Sequence, residues 1–342
     1  MTLQPSAVGR RVVVRYRLGT PVDGAHATDV LGELVAWSEG RLHIRTKTGD
    51  VVEVAESSVL AAKVVPPRTV TRRQVRDLEA AAAAGWRANE IERVGGWLLR
   101  AADGFTGRAN SCLPLWEPGQ PLDSAIDLVE KWYRERGLTP AFQVPVPLGG
   151  VLEATLDRLG WPPPSEDVLM LTAEVAPMAE RRRDDLPSVE LRPEPDERWI
   201  AAYRYRGAAL PPNATRVLLD ADVLAFAAIV AQDRALAIGR GAVSDSPNGH
   251  RWLGVTAVEV DQSMRRRGFA SQVMAELARW GRSMGATSAY VQVAEGNGAA
   301  IAAYGRLGFT EHHRYHYRRL RAGTAQSSSS GSSPHTTTGL GR

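Results

Sequence analysis

The strongest constraint on the fold of this chain is an internal repeat. Residues 132–160 align without a gap onto residues 280–308 at a shift of 148, and ten of the 29 aligned positions are identical. Chance alone gives roughly two to three identities in a stretch of this length and composition. The identical pairs are Trp132 and Trp280, Arg134 and Arg282, Gly137 and Gly285, Thr139 and Thr287, Ala141 and Ala289, Gly150 and Gly298, Ala154 and Ala302, Arg158 and Arg306, Leu159 and Leu307, and Gly160 and Gly308. The repeat predicts two related structural units.

The pattern around the repeat predicts the fold class of both units. Helical spacing of apolar residues alternates with short β-branched runs, which is typical of mixed α/β (α+β) units with a central sheet. We place the first unit at 68–178 and the second at 188–321. A joint rich in charge and proline, residues 180–195, separates them.

The two ends of the chain have a different character. Residues 1–66 contain the strand-like runs Arg11–Arg17, Val30–Trp37, Leu42–Thr46 and Val51–Val54 with no helical segment between them. Short strands joined by tight turns indicate a small SH3-like β-barrel. Residues 323–342 are dominated by Ser, Thr and Gly and are predicted to be a disordered tail.

Composition excludes several classes of protein. The chain has 342 residues, 44% of them apolar, and no uninterrupted apolar run of membrane-spanning length. Its one cysteine, Cys112, excludes a disulfide framework and a multi-cysteine zinc site, and we interpret it as a small buried apolar side chain. We therefore expect a cytoplasmic protein with no metal site and no membrane partner.

The charge is mildly basic, with a formal net charge of +4. Nucleic-acid binding is disfavoured at that value, and we interpret the cluster Arg181–Arg183 as a solvated face. A second cluster, Arg265–Arg267, lies inside a motif.

That motif is a strand, a glycine-bearing loop and a helix. Trp252–Val260 is apolar and β-branched, the loop contains Gly268, and a helix is predicted to begin near Ser271. Free backbone N–H groups and the helix dipole make such a helix start an anion site, and glycine lets the backbone approach the anion closely. No Gly-Lys-Ser/Thr and no G-x-G-x-x-G follows, which excludes the mononucleotide P-loop and the dinucleotide fingerprint.

The order of residues across 250–310 resembles the GNAT family of N-acetyltransferases, in which an R/Q-x-x-G-x-G/A loop binds the pyrophosphate of acetyl-CoA. The resemblance implies acetyl-CoA as co-substrate. It implies that the end of the strand binds the pantetheine arm, that an asparagine contacts the same arm, and that a tyrosine lies near the thioester sulfur. The residues concerned are Val258, Glu259, Val260, Arg265, Arg266, Arg267, Gly268, Phe269, Ala270, Ser271, Asn297 and Tyr304.

Two of these residues also have a possible structural role. Asn297 is also suited to cap the next helix, and Tyr304 is also suited to fill a core.

The sequence does not identify the residue that acts as the general base. The position at which the family often has a glutamate holds Gly254, and strand alternation predicts that Glu259, the nearest carboxylate, lies on the opposite face from Gly254. The closing segment Glu311–Tyr317 offers His and Tyr as alternatives.

The first unit lacks the motif. Glu117, Gln120 and Leu122 stand opposite Arg265, Gly268 and Ala270, and Gly149 and Leu156 stand opposite Asn297 and Tyr304. We interpret the first unit as a degenerate acetyltransferase-like domain that packs against the second unit or shapes its substrate cleft.

The resemblance implies an N-acetyltransferase that transfers the acetyl group of acetyl-CoA directly to a primary amine of a small molecule, a protein lysine or an N-terminus. The alternative is a non-catalytic protein that binds acetyl-CoA, another protein or nucleic acid. A barrel before tandem units is similar to actinobacterial acetyltransferases described as acting on histone-like proteins.

Overall fold

The computed structural model describes residues 3–22, 24–46, 49–65, 70–164, 166–181, 183–204, 210–212 and 214–320. The tail predicted at 323–342 lies outside these residues. The chain forms two compact units, Met1–Val70 and Thr71–Arg342.

The first compact unit is a small antiparallel β-domain, as the sequence predicts. Its strands are β1 (Arg11–Val22), β2 (Ala25–Ser38), β3 (Arg41–Thr46), β4 (Val51–Ala55) and β5 (Val59–Val64), in the order β4-β3-β2-β1-β5. Residues two apart face the core, for example Val12 with Val14 and Leu42 with Ile44, because successive side chains of a strand alternate between faces.

The second compact unit contains all the helices of eight or more residues among the described residues. Its helices are α1 (Arg72–Gly85), α2 (Leu122–Glu135), α3 (Val146–Arg158), α4 (Val175–Ala179), α5 (Glu197–Ala202), α6 (Ala214–Leu219), α7 (Phe269–Ser283) and α8 (Gly298–Arg306). Its strands are β6 (Glu90–Val94), β7 (Trp97–Ala101), β8 (Leu113–Pro114), β9 (Ala141–Pro145), β10 (Asp167–Glu174), β11 (Glu190–Arg192), β12 (Val223–Ala231), β13 (Arg234–Asp245), β14 (Arg251–Val260), β15 (Ser288–Ala294) and β16 (Thr310–Arg319).

The sequence repeat is a structural repeat. Within the second compact unit, the first half runs from α1 to α4 and the second half from β11 to β16. Helix α2, strand β9 and helix α3 in the first half correspond to α7, β15 and α8 in the second half. The last strand is β10 in the first half and β16 in the second half. Mixed α/β tandem architecture is therefore confirmed.

The two halves exchange their last strands within one eight-stranded sheet of order β11-β12-β13-β14-β15-β10-β16-β9. Strand β10 pairs with β15 and β16 of the second half, and β16 pairs with β10 and with β9 of the first half. Each half thereby covers the sheet edge that the other would leave exposed. The exchange places Leu169 and Leu171 of β10 in the core that surrounds α7.

An ionic cluster anchors β16 on helix α3. Arg318 is 2% exposed and donates to Glu153 and, over 2.7 Å, to Asp157. His316 Nε2 lies 2.6 Å from Glu153 Oε1, and this hydrogen bond raises the pKa of His316. Buried charges require such partners, so the cluster specifies where the exchanged strand binds.

Candidate active site

Strands β14 and β15 run together and then diverge. They are parallel neighbours only at Trp252–Ser288, Leu253–Ala289 and Gly254–Tyr290, although β14 continues to Val260 and β15 to Ala294. Beyond Gly254 the edge of β14 that faces β15 is not engaged by it. Its backbone groups are available to an extended ligand laid between the strands.

A β-bulge lies in the divergent part of β14. Arg240 and Ile238 are two residues apart on β13, whereas their partners Thr256 and Glu259 are three apart. The extra residue is Ala257, whose φ of 52° is unusual for a residue with a side chain. Bulges of this kind redirect the groups that follow them and concentrate near active sites.

The bulge reverses the predicted orientation of Glu259. Cross-strand partners share a face, so Glu259 lies on the face of Thr256 and Gly254, while Val260 packs into the core on the other face. The expectation that Glu259 lies on the opposite face from Gly254 is therefore wrong. Simple alternation fails because one residue is inserted between the two positions.

The structure also explains why Gly254 stands where the family often has a glutamate. A Cβ atom on Gly254 would lie 2.3 Å from the hydroxyl oxygen and 2.4 Å from Cζ of Tyr290. The Tyr290 ring occupies the space of any side chain at 254. A carboxylate on this face must therefore come from another position, and Glu259 supplies one.

The loop after β14 ends in a left-handed residue that starts helix α7. Gly268 has a φ of 92° and is the N-cap, and no side chain caps the helix. The helix begins at Phe269, two residues before the predicted start near Ser271. Free N–H groups of the first turn and the positive end of the helix dipole meet here. This geometry fits a phosphate group.

The three loop arginines leave their charge available. Arg265, Arg266 and Arg267 form no ion pair with any carboxylate that the structure describes, and all three are exposed. Arg265 donates to the carbonyl oxygen of Val260 over 3.4 Å. Phe269 is buried in the core, where it fixes the first turn of α7.

A fourth arginine reaches the same place from the joint between the halves. Arg183 Nη1 lies 2.8 Å from where a Cβ atom on Gly268 would be. Its backbone is fixed by Gln272, which accepts from Arg183 N over 2.9 Å and donates to its carbonyl oxygen over 3.0 Å. Interpreting Arg181–Arg183 as merely a solvated face missed this contact, since no local pattern connects residue 183 with residue 268.

We expect Arg183→Ala to weaken coenzyme A binding about tenfold, because a charge-assisted phosphate contact is lost. Arg192→Ala is the matched control, since Arg192 is also exposed and paired with an acid two residues away, as Arg183 is with Asp185. Calorimetric titration of coenzyme A measures both dissociation constants. Equal dissociation constants for the two variants would show that Arg183 does not bind coenzyme A.

Glu259 and Arg265 line one cleft of about 710 Å³ beside the loop. The end of α5 and the beginning of β13 complete its wall. Burial raises the pKa of Glu259 above its ordinary value, and the charge of Arg265 opposes the shift. A carboxylate with a raised pKa in a cleft is suited to accept and release protons.

Tyr304 lies on helix α8, and Asn297 is the N-cap residue of the same helix. Tyr304 packs against the main core and against Phe309, and its hydroxyl makes no hydrogen bond to another described residue. Burial, reinforced by the charge of Glu259, raises its pKa to about 12. Asn297 caps α8 by accepting from Ala300 N over 3.1 Å. The structural role of Asn297 is thus observed, and its role toward a cofactor stays a prediction.

The first half has no equivalent anion site at α2. That helix begins after Pro121 and has Asp123 in its first turn, where a carboxylate repels phosphate. Cys112 is fully buried, as predicted.

Both compact units match models of known protein families. Residues 72–318 match the family model described as "Probable histone acetyltransferase Rv0428c C-terminal", and residues 6–63 match "Rv0428c N-terminal Sm-like domain". No helix among the described residues is long and apolar enough to cross a membrane.

Two relatives match over most of the chain. The "Probable histone acetyltransferase Rv0428c" of Mycobacterium tuberculosis is 33% identical over 322 residues, which cover 91% of this chain and 94% of that protein. The "Uncharacterized N-acetyltransferase YobR" of Bacillus subtilis is 26% identical over 268 residues, covering 72% of this chain and 99% of that protein.

Solved structures share the fold. A GCN5-related N-acetyltransferase from Kribbella flavida superposes with a TM-score of 0.54 at 14% identity, covering 76% of this chain and 98% of that one. A tandem GNAT protein from the clavulanic acid biosynthesis pathway gives 0.50 at 17% identity, covering 75% and 96%. With its Sm-like first domain and its tandem second unit, the chain belongs to the Rv0428c-type family of GNAT acetyltransferases.

Proposed function

We propose that this protein transfers the acetyl group of acetyl-CoA directly to a primary amine, and that the second half carries the reaction. The observation that supports this most strongly is the uncapped start of α7, where Gly268 exposes backbone N–H groups beside Arg265, Arg266 and Arg267, which form no ion pair with a described carboxylate. Both features stabilise a bound diphosphate.

The described residues of the site fit the successive parts of coenzyme A, from the diphosphate to the pantetheine arm. Backbone N–H groups of Phe269, Ala270 and Ser271, with Arg265–Arg267 and Arg183, would hold the diphosphate. The edge of Val258–Val260 that β15 leaves free would bond the amides of the pantetheine arm, because an extended ligand pairs with a strand edge as another strand does. When bound, acetyl-CoA supplies an activated thioester.

The residues around the thioester divide the proton transfers between them. An amine with a pKa of about 10.4 is protonated at neutral pH and must lose a proton before it attacks. Glu259, directly or through water, accepts that proton. Backbone N–H groups near the bulge at Ala257 donate to the carbonyl oxygen as charge develops on it. As the carbon–sulfur bond breaks, Tyr304 donates its proton to the departing sulfur, and the proton that the new amide nitrogen releases restores the Tyr304 hydroxyl.

We expect Glu259→Gln to lower kcat/KM about 100-fold at neutral pH, which is at the low end for the loss of a general base. A base works only when deprotonated, so the activity of the natural protein rises as pH rises through the pKa of Glu259, which burial places above the usual glutamate value. The pH profile of the variant should lack this acid limb. Glu276→Gln, on α7, is the control. An unchanged limb would assign the base to another group, such as the histidines of β16.

The proposed activity is tested by following thiol release from acetyl-CoA against panels of small amines and of lysine-containing proteins. The M. tuberculosis relative is named a probable histone acetyltransferase, and that name supports including basic chromosomal proteins among the acceptors. Turnover that requires both acetyl-CoA and an amine supports the proposal. Coenzyme A binding without turnover on every panel would favour a non-catalytic binding protein instead.

A further inference from the structure

The first half contributes a side chain to the catalytic sheet of the second half. Arg108, in the loop between β7 and β8, donates a hydrogen bond to the Gln292 side chain on β15. Gln292 lies two residues beyond Tyr290, the last residue of β15 that pairs with β14. The guanidinium group therefore lies next to the place where the two strands diverge.

Gln292 shares its sheet face with the catalytic candidates. Tyr290 pairs with Gly254, and side chains two residues apart on a strand face the same way, so Gln292 lies on the face of Gly254 and Glu259. The core residues of α7 pack on the other face. Arg108 and Glu259 therefore reach the sheet from the same side.

A second arginine adds to the positive charge there. Arg240 is fully buried and lies on this face as the partner of Thr256. Its guanidinium carbon lies 4.9 Å from the ring centroid of Trp86, and that of Arg108 lies 4.5 Å from the same ring. Arg240 donates to the carbonyl oxygens of Leu218 and Gly85, and its Nη2 atom has no hydrogen-bond partner among the described residues.

No carboxylate that the structure describes forms an ion pair with either arginine. The buried Glu79 is committed to His313 and Gln143, each at 2.8 Å. The neighbouring phenols remain neutral, since burial raises the pKa of Tyr290 to about 12 and raises that of Tyr315 and Tyr317, against the opposing charge of Arg108.

Uncompensated cations in a buried setting are costly unless an anion joins them. Glu259 is a carboxylate on the same face, but it forms no described ion pair with Arg108. A bound acceptor can bring a carboxylate that pairs with Arg108 directly. We propose that Arg108 determines acceptor specificity by binding a carboxylate that the acceptor carries beside its primary amine. This inference rests on the proposed acetyl transfer to amines. The carboxylate belongs either to a free amino acid or to an acidic residue beside a lysine in a peptide.

The test uses pairs of amines that differ only in the carboxylate: lysine with cadaverine, and tyrosine with tyramine. A second arm compares a lysine peptide flanked by glutamates with the same peptide flanked by alanines. One of the two sets, free amines or peptides, will contain the better substrates. In that set we expect Arg108→Gln to lower kcat/KM about 100-fold for the substrates that carry a carboxylate, mainly by raising KM. For the matched substrates without a carboxylate, kcat/KM should change less than about threefold.

Two variants control for fold and charge. Arg108→Lys keeps the charge and should restore part of the preference, whereas Arg282→Gln, exposed in the last turn of α7, should change nothing. Equal losses for both members of each pair, or no preference in the natural protein, would overturn the proposal.

A binding measurement separates this proposal from the activity itself. The same amines are titrated by calorimetry into protein saturated with coenzyme A. A preference for the carboxylate-bearing amine that Arg108→Gln abolishes supports Arg108 even if no acetyl transfer is found. Equal affinities for both members, with coenzyme A bound, would refute the role of Arg108 while leaving the cofactor site intact.

Discussion

Gly268→Asp should weaken coenzyme A binding about 1000-fold, or about 4 kcal/mol. Two effects add at this position. A side chain at a φ of 92° is strained, and its carboxylate would repel the diphosphate. The Arg183 guanidinium, whose Nη1 would lie 2.8 Å from the new Cβ atom, is the end of a flexible side chain and can move aside. Titration calorimetry with coenzyme A measures the loss, and thermal melting shows that the variant is folded.

Gly285→Asp is the control for strain. Gly285 follows the other end of α7, with a φ of 87° and its nearest Cβ contact, Arg251 Cδ, at 3.5 Å. Both substitutions place the same residue in a left-handed conformation, so both should lower the melting temperature. Only Gly268→Asp should lose coenzyme A. Equal affinities in the two variants would show that the start of α7 is not the diphosphate site.

Tyr304→Phe should lower kcat about 1000-fold, in the middle of the range for loss of a general acid. A pKa of about 12 keeps the Tyr304 hydroxyl protonated at neutral pH, so that it can donate to the departing thiolate. The ring still packs against Phe309, and coenzyme A affinity should change less than about threefold. Steady-state kinetics with a saturating amine measures kcat.

Tyr16→Phe, in the small β-domain, controls for the removal of a phenol hydroxyl elsewhere in the chain. A Tyr304→Phe enzyme with unaltered kcat would leave Tyr304 as a core aromatic. A parallel loss of coenzyme A affinity would assign the hydroxyl to cofactor binding rather than to proton transfer.

Local sequence patterns were sufficient for the repeat units and for the loop. The spacing of Val258, Gly268 and the apolar positions of α7 depends on contacts close in sequence, and the structure has strand, loop and helix in that order. The β-branched runs of the first 66 residues predict four of the five strands described there, but not β5.

Long-range features were not predictable from a single sequence. The exchange of β10 and β16 depends on sheet edges distant in the chain, and nothing local to either strand specifies its partner. The bulge at Ala257 has no glycine to mark it, so alternation misplaced Glu259. Arg183 and Arg108 reach the site from segments 85 and 184 residues away from Gly268 and Gln292, respectively.

The strand exchange gives the first half a structural role, although the first half lacks a cofactor-binding loop. Strand β10 separates β15 from β16, so the second half cannot complete its sheet alone. The loop that holds Arg108 lies against β16, since a Cβ atom on Gly107 would lie 2.8 Å from Cζ of Tyr317. Under the role proposed for Arg108, the first half would contribute to acceptor binding in the second half.

A crystal structure with coenzyme A bound tests the central claim most directly. We predict that the diphosphate oxygens lie within about 3 Å of the backbone nitrogens of Phe269, Ala270 and Ser271. The pantetheine arm should lie along Val258–Val260. Coenzyme A bound instead against the start of α2, near Leu122, would contradict the assignment of catalysis to the second half.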